Sequence, residues 1–148
     1  MGHKAFLSEQ MDSSRYAVER IAAIRSRATT VLDKLAQSSA DEFIVRTWGI
    51  SVIPDGNASA KIVTPFGEGR AELSFRIGER GIYGRYEIQR LGRDQYDRAT
   101  WSPVWEFRID GDDNVTHGDS SENSFDLFAP YRDSFPKLLL AILTAFGQ

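Results

Sequence analysis

Asp110, Asp112, Asp113 and His117 crowd into one short stretch, and closely spaced carboxylates are how a chain gathers a hard cation. Asp110, Asp112 and Asn114 take positions 1, 3 and 5 of a calcium loop. The turn position that needs glycine is Val115, and the position that needs a bidentate glutamate is Ser121, with Glu122 one place late. The EF-hand pattern fails. The four residues stay as candidates for an irregular cation site, with a plain surface loop as the favoured expectation. His117 has Asp113 and Asp119 near it in sequence, which predicts a raised pKa and a capacity for general acid–base work. A lone histidine in a glycine-bordered acidic loop is more often simply solvated.

A second group combines cations with rings: Tyr83, Arg85, Arg90, Arg93, Tyr96 and Arg98. Sheet surfaces that stack single-stranded nucleic acid use that mixture. Between Gly67 and Ile109, however, eight arginines meet seven acids, too even a balance for a phosphate-driven binder. Cross-strand pairing of Arg70, Arg76 and Arg85 with Glu72, Glu79 and Glu87 is the plainer expectation. Arg and Tyr are also the residues of protein-interface hot spots.

Enzyme signatures are sparse. Pro54-Asp55 followed by Glu87-Ile88-Gln89 has the outline of a nuclease metal core, but Gln89 stands where lysine is needed and Asp55 sits in a turn. The sequence contains no Gly-x-Ser-x-Gly, Walker loop, Gly-x-Gly-x-x-Gly or His-Glu-x-x-His. No cofactor is expected.

Bulk properties narrow the setting. A chain of 148 residues is one ordinary domain, and 41% hydrophobic residues suffice for a core. Zero cysteines remove disulfides and thiolate chemistry, so a cytoplasmic protein is expected. A net charge of −3 argues against coating nucleic acid or anionic lipid. No signal peptide is legible in Met1–Gln10, and Leu138–Leu143 is too short an apolar run to span a bilayer. Fourteen of the 18 basic residues are arginine, a bias that a GC-rich genome would also produce.

The elements that must position these residues are read from periodicity. Ala17, Ile21, Ile24, Ala28, Val31 and Leu35 form a heptad seam, widened by Val18, Ala22, Thr29, Leu32 and Ala36 and capped by Asp12, Ser13 or Ser14. That seam suits packing on a sheet or, second, a helix dimer. Ser39-Ala40-Asp41-Glu42 has capping-box spacing, so the helix breaks and restarts there. Strands follow at Trp48–Ile53 and Ala60–Thr64. Alternation then marks three more: Ala71, Leu73, Phe75, Ile77; Ile82, Tyr86, Ile88; and Trp101, Trp105, Phe107, Ile109. Pro103 marks its strand as an edge or a bulge. Residues 110–124 read as an acidic loop, with a short strand at Val115, and the stretch Asp110–Asp126 holds six acids and no Lys or Arg. Ser134-Phe135-Pro136 opens a helix that is apolar nearly all round and stops at Gly147. Such a helix is either sandwiched or half of a subunit interface.

The expectation is therefore a single α+β domain over 1–148, with a mobile leading segment over 1–12. An antiparallel meander of about five strands packs against a long N-terminal helix and an apolar C-terminal helix. Its sheet core is expected at Leu73, Phe75, Ile77, Ile88, Trp105, Phe107 and Ile109. The expected function is a non-enzymatic protein–protein interaction module (an adaptor, chaperone, inhibitor or immunity-type protein). Its partner is another protein or a second copy of itself, and no membrane is involved. Its interaction surface is the Arg/Tyr set. A nucleic-acid-binding regulator is the alternative, and a metal-dependent enzyme using the acidic loop the second alternative.

Overall fold

The heptad seam is a helix face. In the computed structural model, which describes residues 2–79, 81–117 and 124–148, with side chains from Arg15 onward, α1 runs Gly2–Ser39. The backbone of residues 2–12 thus belongs to the helix. Asp12, Ser13 and Ser14 lie inside it instead of capping its start, which corrects that expectation. Arg80, Asp119, Ser121 and Glu122 lie outside the described residues.

At its far end α1 stops where expected. Helix α2 follows at Glu42–Thr47, and its N-cap is Asp41, not Ser39, with the Asp41 carboxylate accepting from Phe43 N at 3.0 Å. Gly49, at φ 64°, closes α2 with its N–H on Ile44 O.

Seven antiparallel strands then follow in chain order, forming a curled half barrel. They are β1 Ser51–Pro54, β2 Ala60–Thr64, β3 Gly67–Gly78, β4 Gly81–Arg93, β5 Ala99–Ile109, β6 Asn114–His117 and β7 Ser124–Asp126. The two strands beyond the expected five come from the acidic stretch. The short strand expected at Val115 is β6; β7, around Phe125, was not read from sequence, because a single apolar side chain turned into the core gives little alternation. A register shift at Ile88/Gln89, opposite Pro103, is the bulge that the proline implied.

Helix α3, Ser134–Phe146, lies with α1 against the sheet. Its N-cap is Asp133, one residue before the expected Ser134. One core joins Ile24, Ala28, Val31, Leu32 and Leu35 of α1 to Leu138, Leu139, Ile142 and Phe146 of α3 and to Tyr86, Ile88, Phe107 and Ile109 of the sheet. The apolar helix is therefore sandwiched.

Two glycines admit this packing. A Cβ on Gly84 would meet Ile24 Cγ2 at 2.8 Å, and one on Gly69 would overlap the Phe146 ring. Ile77, expected in the core, is 85% exposed. It sits at the end of the β3–β4 hairpin, beyond the reach of the helices. Leu73, Phe75 and Trp105 are half-buried. Val18, Ala22 and Thr29 are exposed, so the buried stripe of α1 is narrower than expected.

Candidate functional site

Alternation along β3, β4 and β5 puts charge on the outer sheet face, and the side chains there bind one another. Arg70 lies 4.0 Å over the Trp101 ring and its Nε donates to Gln89 Oε1 at 2.6 Å. Gln89 in turn donates to Glu87 at 2.8 Å. Arg85 pairs with Glu106 and, at 3.1 Å, with Glu87. The bond to Glu106 lifts the Arg85 pKa further above its ordinary value. Arg108 lies 4.9 Å over Tyr83. Arg85 finds its cross-strand partner in Glu106, not in the acids expected for it: Glu87 lies on its own strand, and Glu72, which Arg70 faces at 3.6 Å, likewise shares its strand with Arg70. These guanidinium groups already have partners.

The six Arg/Tyr candidates do not form one surface. Tyr83 and Arg85 belong to the outer ladder. Arg90 follows the bulge and donates to Phe146 O at 2.8 Å and to Phe66 O at 2.7 Å, so its cation tethers the C-terminal end of α3. Arg93, Tyr96 and Arg98 are exposed at the tip of the β4–β5 hairpin, with Arg93 on Asp97 and Arg98 over Tyr96.

The acidic turn is likewise occupied by its own chain. The Asp110 carboxylate accepts from the backbone N–H of Asp112 at 2.8 Å and of Asn114 at 3.0 Å. Asp113 pairs with Arg27 of α1, and the Arg20 guanidinium packs against Gly111, where no Cβ would fit. Arginines one α1 turn-pair apart thus meet a turn that looked uncompensated in sequence. Among the described residues no group of three His, Asp or Glu side chains is placed to hold a metal.

His117 is half-buried with its ring 6.0 Å from that of Trp105. Burial first, then the Lys137 charge, pushes its pKa below the ordinary value. That is the reverse of the raised pKa expected from its acidic neighbours in sequence, because the fold sets it against an aromatic ring and a lysine.

Among the described residues, two open grooves involve the apolar helix α3. One, about 430 Å³, lies between Phe43, Ile44 and Trp48 of the α2 region and Phe135 and Pro136 of α3, with Asp41 and Arg132 also lining it. The other, about 470 Å³, lies between Val104 and Trp105 of β5 and Lys137, Leu140, Ala141 and Ala145 of α3. Its Leu140 is 43% exposed while the adjacent Leu139 is fully buried. Neither groove was foreseen. The one sequence signal was an α3 with more apolar surface than a single core face needs. No family model, curated protein or solved structure matches the chain.

Proposed function

We propose that this protein is a protein–protein interaction module and that the β5–α3 groove is where it meets its partner. One observation carries the reading: apolar side chains of a strand and a helix stay open to solvent there, while most of the charged groups of the outer sheet face are already paired. Trp105, Leu140 and Val104 offer a partner desolvation, the main favourable term in association. The paired arginines have no comparable free capacity for phosphate, and Arg90 is committed to α3. A nucleic-acid role accordingly has less support.

Photo-crosslinking in extracts of the source cells tests this. A crosslinker placed at Leu140 should give a discrete protein adduct that excess unlabelled protein competes away. The same group at Asp97, on the hairpin tip, should not. Equal adducts at both positions, or none at Leu140, would remove the groove from consideration.

A further inference from the structure

Helix α1 and strand β3 each carry more apolar surface than the core uses, and the two surpluses meet. Along β3 one column leaves the core step by step: Ala71 is buried, Leu73 and Phe75 are half-buried, and Ile77 is 85% exposed. On α1 the surplus is Val18, Ala22 and Thr29, all exposed. Arg25 shares their face at helical spacing, and its guanidinium lies 5.5 Å over the Phe75 ring. The exposed stripe of the helix therefore borders the apolar column of the strand at Phe75.

The backbone beside that column is open. Strand β2 pairs with Gly67–Ala71 only, so among the described residues Glu72–Gly78 pairs with β4 alone. The pairs Thr64↔Gly67 and Gly78↔Gly81 each close a two-residue loop, and both set the same phase. Ser74, Arg76 and Gly78 turn their N–H and C=O groups to β4, whereas Leu73, Phe75 and Ile77 turn theirs to the open side. Strands β6 and β7, which flank residues 118–123, lie on the other side of β4 and β5. The open length is about 24 Å at 3.4 Å per residue, a row of groups whose natural complement is another strand.

We propose that this edge takes an extended segment of another protein as an added strand, seated between α1 and β3. Its alternate apolar side chains turn toward the α1 stripe, and an acidic side chain stands opposite Arg76. Arg25 and Arg76 are exposed, and neither has an ion-pair partner among the described residues, so the slot presents two cations. Glu72, in the same outer column as Arg76, faces Arg70 at 3.6 Å, and Glu79 stands in the turn beyond Gly78. A second copy of the chain fits less well. Its β3, paired antiparallel about Phe75, would bring the turn after its Gly78 beside Ala71, where Ala60 already pairs. A linear segment has no such turn. Main-chain bonds set its extended geometry, and the columns of α1 and β3 select the side chains on one face. The slot lies apart from the β5–α3 groove and needs nothing from it.

The probe is a library of random peptides of about ten residues, displayed on phage and selected on the full chain. Selected peptides should alternate apolar and polar positions and carry an acid. Ile77→Asp and Ala22→Glu alter exposed positions that the core does not use, and each should weaken the tightest peptide about tenfold or more. Arg76→Glu should replace the preference for an acid with one for a base. Hydrogen exchange should slow on binding at Phe75 and Ile77 but not at Ser74 and Arg76, whose amides β4 already holds, a readout that needs no variant. Peptides that bind the Ile77→Asp protein undiminished, protection that falls elsewhere, or a helical bound peptide would overturn strand addition. Peptides lost with Leu140→Asp alone would overturn the slot while supporting the β5–α3 groove. A dimer that Ile77→Asp dissociates would put a second copy on the edge and overturn the assignment to another protein. Recovery of no peptide would overturn the slot and leave crosslinking at Leu140 to decide the groove.

Discussion

His117 shows how far a side chain's chemistry departs from its sequence neighbourhood. Its ordinary pKa is 6.5, and in the fold burial and Lys137 hold it lower. Above that ordinary value the ring is neutral in both folded and unfolded chains, and the stability is fully present. As the pH falls below it, the unfolded chain takes up a proton that the folded chain resists, so stability declines. Urea unfolding at about pH 7.5 and about pH 5.5 should therefore show a loss at the lower pH that His117→Gln reduces. An identical loss in both proteins would mean that the ring is as hydrated as in the unfolded chain. The acids near His117 in sequence suggested the opposite sign, since sequence distance says nothing of what the neighbouring strand and helix place beside a ring. Arg90 misleads similarly. It reads as a surface cation, yet the bulge opposite Pro103 precedes it and its guanidinium reaches two carbonyl groups, Phe146 O and Phe66 O.

Elements were legible where alternation was long. The β2 bounds, Ala60–Thr64, were read from sequence, and the three long strands followed from a period of two. Shorter features depend on contacts that periodicity does not encode. Ser39 was read as an N-cap. Its hydroxyl instead donates to Ala36 O at 3.0 Å and accepts from the buried Val52 N–H, sealing the edge of β1. Ser39→Ala leaves that N–H without its partner and should lower stability by about 1–3 kcal/mol. Denaturant titration measures the loss, and hydrogen exchange should show faster exchange at Val52 than at the centre of β4. A change within about 0.5 kcal/mol would mean that another group takes over the edge. The clasp of Arg27 on Asp113 was equally hidden, because its partners lie 86 residues apart and each looked like an ordinary surface charge.

At the scale of the molecule, α1, α3 and the sheet share one core, so none of the three has an apolar face of its own to fall back on. The α+β class was legible because each layer declares its period. Which face of α3 stays open was not, since Leu138, Leu139 and Leu140 are chemically alike and only their rotation about the helix axis separates them. That distinction decides what a charge does at each place. Leu139→Glu puts a carboxylate at a site with no exposure, between α1 and the sheet, and should cost more than about 4 kcal/mol, enough to abolish cooperative unfolding. Val18→Glu, at a position 68% exposed on the first half of α1, should change stability by less than about 0.5 kcal/mol. Circular dichroism during urea titration, with light scattering on a sizing column, separates these outcomes from dissociation. A folded, smaller species from Leu139→Glu would place that face of α3 between subunits and break the single-core account. An unfolded or aggregated chain, beside a Val18→Glu protein of unchanged midpoint and mass, keeps Leu139 inside. It leaves Leu140 and the groove beside it as the apolar surface that α3 has to offer a partner.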